Sequence, residues 1–208
     1  MSGRSGQVAL RIETGIANRA LPGEMESGDK HVICPFPQGV LVAAIDGLGH
    51  GAEAALAARQ AAAVLEARPE DPLVVLVKRC HEALLETRGA VVSLATFREP
   101  DASLSWLGVG NVQGLLLRAD RNAVPASESL LLRGGVVGFH LPQLFADVIS
   151  VMPGDILILA TDGIRSDFTE CLIPGDAPQQ MANRILTRCG RDNDDALVVV
   201  ARFAGGTA

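Results

Sequence analysis

The chain has 208 residues, 48% of them hydrophobic and 3% aromatic, with 18 basic against 24 acidic residues for a net charge of −6. That length supports one domain, residues 1–208, with a sizeable core and no need of disulfide staples. The acidic balance leaves no broad basic face for a phosphate backbone and argues against nucleic acid as a partner, and apolar runs such as "LVVLV" and "ILILA" fall far short of the ~20 residues that span a bilayer, so no membrane contact is expected.

From Val8 to Ala17, "VALRIETGIA" is β-prone with rough alternation, and "HVIC" and "VLVAAI" flank the turn chemistry of "PFPQG", which predicts a hairpin. The stretch "AEAALAARQAAAVLEA" predicts a helix. "DPLVVLVKRCHEALLETR" predicts a second, with Asp71 as N-cap and Pro72 at the first helical position. Six short β-type segments follow: "AVVSLATF", "SLSWLGVG", "VQGLLLRA", "ESLLLR", "FADVISV" and "DILILAT". Their spacings are too short for βαβ crossovers and favour antiparallel neighbours. Between them, the polar "ADRNAVPASES" reads as a mobile loop. "APQQMANRILTRC" then predicts a helix, "ALVVVARF" a buried strand, and "AGGTA" a frayed end. Strands bunched between helices predict a layered α/β sandwich. Cys34, Cys80, Cys171 and Cys189 form no C-x-x-C pair and the start "MSGRSGQVALRIETG" is not signal-like, so a reduced, cytoplasmic protein is expected.

Chemistry concentrates at strand ends. Asp29 precedes "HVIC" and Asp46 ends "VLVAAI", so an antiparallel hairpin makes the two acids neighbours. Asp162 ends "ILILAT" and Asp194 and Asp195 open "ALVVVARF"; if those strands pair antiparallel, their acids also meet at one end. Carboxylates gathered in this way require a counter-ion, and hard oxygen ligands suit Mg²⁺ or Mn²⁺ over zinc. Glycine after Asp46 and after Asp162 lets a backbone carbonyl join the ligands. Two ions roughly 3.5–4 Å apart that share a carboxylate would ready a water for in-line attack on phosphorus, with no covalent intermediate. One Asp-Gly alone is more often a turn than a ligand; two copies after apolar strands, with further acids opening two other strands, reverse that balance. Within "RDNDDALVVV", Asp192, Asp194 and Asp195 compete, and Asp194 is favoured because it lies one residue outside the strand.

Other motif classes fail. "CHEALLE" lacks the second histidine of H-E-x-x-H, "DNDDAL" lacks the glycine and distant glutamate of an EF-hand, and no G-x-x-x-x-G-K-[ST] is present. "HVIC" offers two zinc ligands without a second pair. A haloacid-dehalogenase-like nucleophile would want an acid where Leu48 stands.

In order and spacing, "AAIDGLGHGAEAA", "LATDGI" and "DNDDALVVV" resemble the metal-binding motifs of PPM-type metal-dependent serine/threonine phosphatases, in the bacterial branch containing SpoIIE, RsbU and RsbX; "SGD" at Ser27 to Asp29 fits that branch's first acidic motif. The resemblance implies a four-layer αββα sandwich of two antiparallel sheets flanked by helix pairs. It implies hydrolysis of phosphoserine or phosphothreonine with two Mn²⁺ or Mg²⁺ ions, with Asp46 and Asp162 central to catalysis. Asp46 would bridge the ions, the Gly47 carbonyl and Asp29 would complete the second site, and Asp162 and Asp194 would hold the first, with Asp195 auxiliary. The lack of room for regulatory or membrane domains makes the chain similar to the stand-alone RsbX type. That implies phosphorylated RsbS-like and RsbR-like STAS-domain stressosome proteins as partners, in negative feedback on stress signalling. The competing expectation is a binding module of the same fold with its ions lost. His50 reads either as an acid for the leaving oxygen or, preferably, as a residue that orients its loop. Arg19 reads as a solvated loop arginine, "WLGVGNVQG" as a hairpin turn without chemistry, and "RGGVVGFHLP" as a rim loop with His140 exposed.

Overall fold

A computed structural model describes residues 10–99, 101–120 and 122–206. Two β-sheets stack face to face. The first contains β1 (Leu10–Arg19), β6 (Gln113–Leu117), β7 (Ser127–Ser129), β10 (Ile156–Ala160) and β11 (Ala196–Gly206), in the order β1-β11-β10-β6-β7. The second contains β2 (Asp29–Phe36), β3 (Gly39–Gly47), β4 (Ala90–Arg98), β5 (Ser103–Val109) and β8 (Leu132–Arg133) in sequence order, with β9 (Asp147–Ser150) also paired to β5. Helices α1 (Gly51–Ala67) and α2 (Leu73–Ala83) cover the second sheet, and α3 (Pro178–Cys189) covers the first.

Three apolar layers hold this stack together. Leu41, Ile45, Leu76 and Leu94 pack between the helix pair and the second sheet; Val42, Phe97, Leu157 and Val199 fill the space between the sheets; Ile158, Met181 and Ile185 pack under α3. Strands β3 and β4 are buried on both faces, which is why "VLVAAI" and "AVVSLATF" are continuous rather than alternating. Alanines 54, 55, 57, 58 and 61 of α1 are fully buried, and their small side chains bring the helix backbone close to the sheet. Truncating a side chain such as Leu41 to alanine costs about 2–5 kcal/mol in a core of this kind. Pro35, which has no N–H for a ladder, sits on the edge strand β2.

The layered fold and the antiparallel hairpin match expectation, with local departures. The second outer layer is α3 with a 3-10 turn (Phe168–Cys171) in place of a second full helix. Helix α2 starts at Leu73 with Pro72 as N-cap, leaving Asp71 outside, and ends at Ala83 because Thr87 bonds back to the Leu84 carbonyl through both its N–H (2.9 Å) and its hydroxyl (2.8 Å). "ESLLLR" is not one strand. β7 pairs with β6 in the first sheet and β8 pairs in parallel with β5 in the second, and the chain crosses between sheets at buried Leu130, whose N–H donates to the Gly114 carbonyl at 2.8 Å. Residues 127–129 of the expected mobile loop are strand, and residues 204–206 of the expected frayed end belong to β11, with Gly206 paired to Leu10. Val8, Ala9, Arg121, Thr207 and Ala208 lie outside the described residues. Among the described residues no helix is long and apolar enough to cross a membrane.

Candidate metal-dependent active site

Four strand ends converge at one rim of the sandwich. Asp29 opens β2 and Asp46 lies at the end of β3, paired across the hairpin in direct register. Asp162 follows β10 by two residues and Asp194 precedes β11 by two, and those strands are antiparallel neighbours. Asp46, Asp162 and Asp194 line one cleft of about 510 Å³, together with His50 and Asn111. Asp29 lies behind them, 1% exposed, with its Oδ2 accepting a hydrogen bond from the Thr161 hydroxyl at 2.7 Å. The same hydroxyl oxygen accepts from the Leu197 N–H at 2.9 Å, so the threonine of "TDG" ties the hairpin acid to β10 and β11.

The two Asp-Gly pairs have a packing cause. A Cβ on Gly47 would stand 2.1 Å from the Ala54 carbonyl oxygen, and one on Gly163 would stand 1.8 Å from that of Asp195. Only glycine permits these approaches, which seat α1 against β3 and the Asp162 turn against the start of β11. The Gly47 N–H also donates to the Gly28 carbonyl at 3.1 Å, joining the two aspartate turns.

The structure separates the three C-terminal acids. Asp194 faces the cleft. Asp195 is buried and its two oxygens accept from the N–H groups of Leu21 (2.9 Å) and Gly28 (3.0 Å), which holds the loop between β1 and β2. Asp192 is exposed and ion-pairs with Arg19 at 3.2 Å. Arg19 is therefore not a solvated loop arginine: it ends β1 and ties down the 191–192 turn, also donating to the Arg191 carbonyl. His50 is exposed, its Nδ1 2.7 Å from Glu24 Oε1, which fits the orienting reading; His140 is exposed on the rim loop.

Electrostatically the rim is uncompensated. Burial, then the charges of Asp29, Asp162, Asp194 and Asp195, push the Asp46 carboxyl up to about 9. Burial likewise raises Asp29, to about 7, with the Thr161 hydrogen bond opposing and the neighbouring acids adding to the rise. Asp194 is raised by burial and by Asp162. Among the described residues no ion pair involves Asp29, Asp46, Asp162 or Asp194. Nor do any three His, Cys, Asp or Glu side chains among the described residues form a ready-made ligand set. The donor set nevertheless fits a hard divalent cation, being all oxygen and lacking any internal positive charge.

Two cleft features escape the sequence reading. The Asn111 side-chain amide donates to Asp162 Oδ2 at 2.8 Å, from the β5–β6 turn read as a plain hairpin turn; a Gly-Asn after a buried strand carries no distinguishing signal. Arg88 places its guanidinium 2.8 Å from where a Cβ on Gly49 would stand, at the lip of the cleft, paired with Glu53.

The two sheets layered with helices match the fold of the PPM class of serine/threonine phosphatases, to which the chain belongs. Within it the chain belongs to the Stage II sporulation protein E (SpoIIE) family, whose model matches residues 37–204. A relative, the phosphoserine phosphatase RsbX of Bacillus subtilis (strain 168), is 24% identical over 185 residues, covering 86% of this chain and 85% of RsbX. A chain from a solved structure of the bacterial stressosome, described as a modular system adapted to control secondary messenger signaling, is 30% identical with a TM-score of 0.84, covering 92% of this chain and all of that one. The crystal structure of RsbX in complex with magnesium aligns with a TM-score of 0.80 at 20% identity, covering 94% of this chain and 99% of that one.

Proposed function

We propose that this protein hydrolyses phosphoserine or phosphothreonine on STAS-domain stressosome proteins of the RsbS and RsbR type, in the cytoplasm, as negative feedback in stress signalling. The observation that carries the reading is the register pairing of buried Asp29 with half-buried Asp46, which pair with no basic side chain among the described residues and share one rim with Asp162 and Asp194. The naming of the RsbX relative supports the substrate class, and four free cysteines support the compartment.

When bound, a pair of Mg²⁺ or Mn²⁺ ions supplies water activation and neutralises charge developing on the phosphoryl group. Asp46, paired with Asp29 and lining the cleft with Asp162 and Asp194, would be the residue that helps hold both ions. Asp29, fixed by Thr161, and the Gly47 carbonyl would hold one ion; Asp162, fixed by Asn111, and Asp194 would hold the other. His50, oriented by Glu24, stands at the mouth, where it can hold a proton near the leaving oxygen.

A second reading, a binding module that recognises a phosphoprotein without hydrolysis, draws on the lack, among the described residues, of any ready-made set of three ligand side chains. Hydrolysis of p-nitrophenyl phosphate with added Mn²⁺, compared with Asp46→Asn, separates the two. Manganese-dependent release by the unaltered protein alone supports the phosphatase; background release by both supports the binding module.

A further inference from the structure

The loop that follows β8 lines the cleft and then turns outward. Gly135 and Val136 form part of the cleft wall, and three residues later Phe139 stands in solvent with 85% of its surface exposed. It is not a floppy tip. Val136 exchanges backbone hydrogen bonds with His140 (2.8 and 2.9 Å), and Phe139 N–H donates to the Val136 carbonyl at 3.1 Å. Val137 is bridged to Ala90 at the start of β4 through two backbone hydrogen bonds of 2.8 and 2.9 Å. The Gly138 N–H donates to His81 Nδ1 at 3.0 Å, and a Cβ on Gly138 would stand 2.7 Å from the Leu84 Cβ. The next residue, Leu85, is itself 60% exposed.

A loop backbone tied down in this way has already lost the freedom that binding would otherwise remove from it, which suits the exposed aromatic it carries to be an interface anchor. We propose that Phe139, with Leu85 beside its loop, is the docking anchor for the surface of the phosphoprotein substrate that surrounds its phosphorylated residue. The proposal rests on the phosphatase reading for the identity of that partner. Continuity fixes the occupant: the loop carrying Phe139 is the cleft wall, so a protein presenting phosphate to the acids lies across it. Arg88, ion-paired with Glu53, stands on the same lip, next to Gly89, whose added Cβ would meet the Val137 carbonyl at 2.7 Å, and a phosphoserine arriving with about −1.5 to −2 charges would compete with Glu53 for it. Phe139 is not among the residues that line the cleft, so an ester held within the cleft does not touch it and the anchor discriminates protein from small ester.

The test uses the full chain, Phe139→Ser, Leu85→Ser and, as a control, Val124→Ser. Val124 is 97% exposed and lies beside Asp155, at the other end of β10. Binding to an immobilised phosphorylated RsbS-like STAS-domain protein is measured by interferometry, manganese-dependent p-nitrophenyl phosphate hydrolysis in parallel, and oligomeric state by sedimentation. The expected result is binding weakened about 10–30-fold by Phe139→Ser and less by Leu85→Ser, with small-ester hydrolysis and the Val124→Ser control unchanged. Unchanged binding in Phe139→Ser, no binding by the unaltered protein, a parallel loss of small-ester hydrolysis, or a dimer that Phe139→Ser dissociates without loss of phosphoprotein binding would each overturn the proposal. Phe139-dependent binding by a protein that releases no nitrophenol would keep the anchor and remove the phosphatase reading instead.

Discussion

The two ends of β10 carry the same residue type in opposite circumstances. At one end Asp155, 1% exposed, receives Arg118 at 2.9 Å and the N–H groups of Ala119 (2.8 Å) and Met152 (3.0 Å). At the other, Asp162 joins Asp29, Asp46 and Asp194, where none of the ion pairs of the described residues reaches. A buried acid by itself is therefore no sign of function, because the fold can supply its own guanidinium. A group of acids for which the fold supplies none is tuned to a cation from outside.

The contrast is tested most severely by Asp46→Asn against Asp155→Asn. Asp46→Asn should lower manganese-dependent p-nitrophenyl phosphate turnover by about 10³-fold, the several kcal/mol expected of a lost cation site, while its melting temperature in EDTA holds or rises because repulsion is relieved. Asp155→Asn should behave in the opposite way, losing about 2–4 kcal/mol in urea unfolding with turnover per folded molecule retained. If both variants lose activity and neither loses stability, the two ends are not different in kind.

The pH dependence follows from the raised carboxyls. Groups whose folded values exceed their ordinary value near 4 stabilise the metal-free protein below that value, and this contribution is lost as pH rises through the folded values of about 7 and 9. The melting temperature in EDTA should fall by about 5 °C or more between pH 5 and pH 9. Manganese should restore it increasingly toward high pH, and Asp46→Asn should flatten the profile. Smallest of the set, Asn111→Ala should weaken manganese affinity about 10-fold, read calorimetrically, because Asp162 loses the amide that holds its orientation. Unaltered affinity would leave Asn111 a wall residue only.

Much of this arrangement was legible in the chain, for identifiable reasons. The turn residues of "PFPQG" set a short hairpin, and a hairpin's register is local, so the pairing of Asp29 with Asp46 follows from adjacent residues. The choice of Asp194 over Asp195 follows from its standing outside the strand, and Asp194 lies two residues before β11 in the cleft wall while Asp195 is buried. What stayed hidden depends on distant segments. Nothing in "ESLLLR" tells its first half to join β6 and its second half β5, because that choice is made by Leu130 finding the space between two sheets. Asn111 and Asp162 likewise meet only once β6 has paired with β10.

Strand β11, flanked by β1 and β10, has a consequence for biosynthesis. Ile12 pairs with Phe203 and Asn18 with Leu197, so the first strand to leave the ribosome waits roughly ten seconds or more for its neighbour at about 5–20 residues per second. Strands β2 to β5, with α1 and α2 between β3 and β4, can assemble as they emerge, yet their inner face bearing Phe97 and Trp106 is fully covered only when β11 joins β10 and β6. Nascent chains should therefore be clients of holdase chaperones. Because Asp194 travels just ahead of that closing strand, a stalled or truncated translation product lacking it has neither a closed sheet nor the full set of acids at the rim.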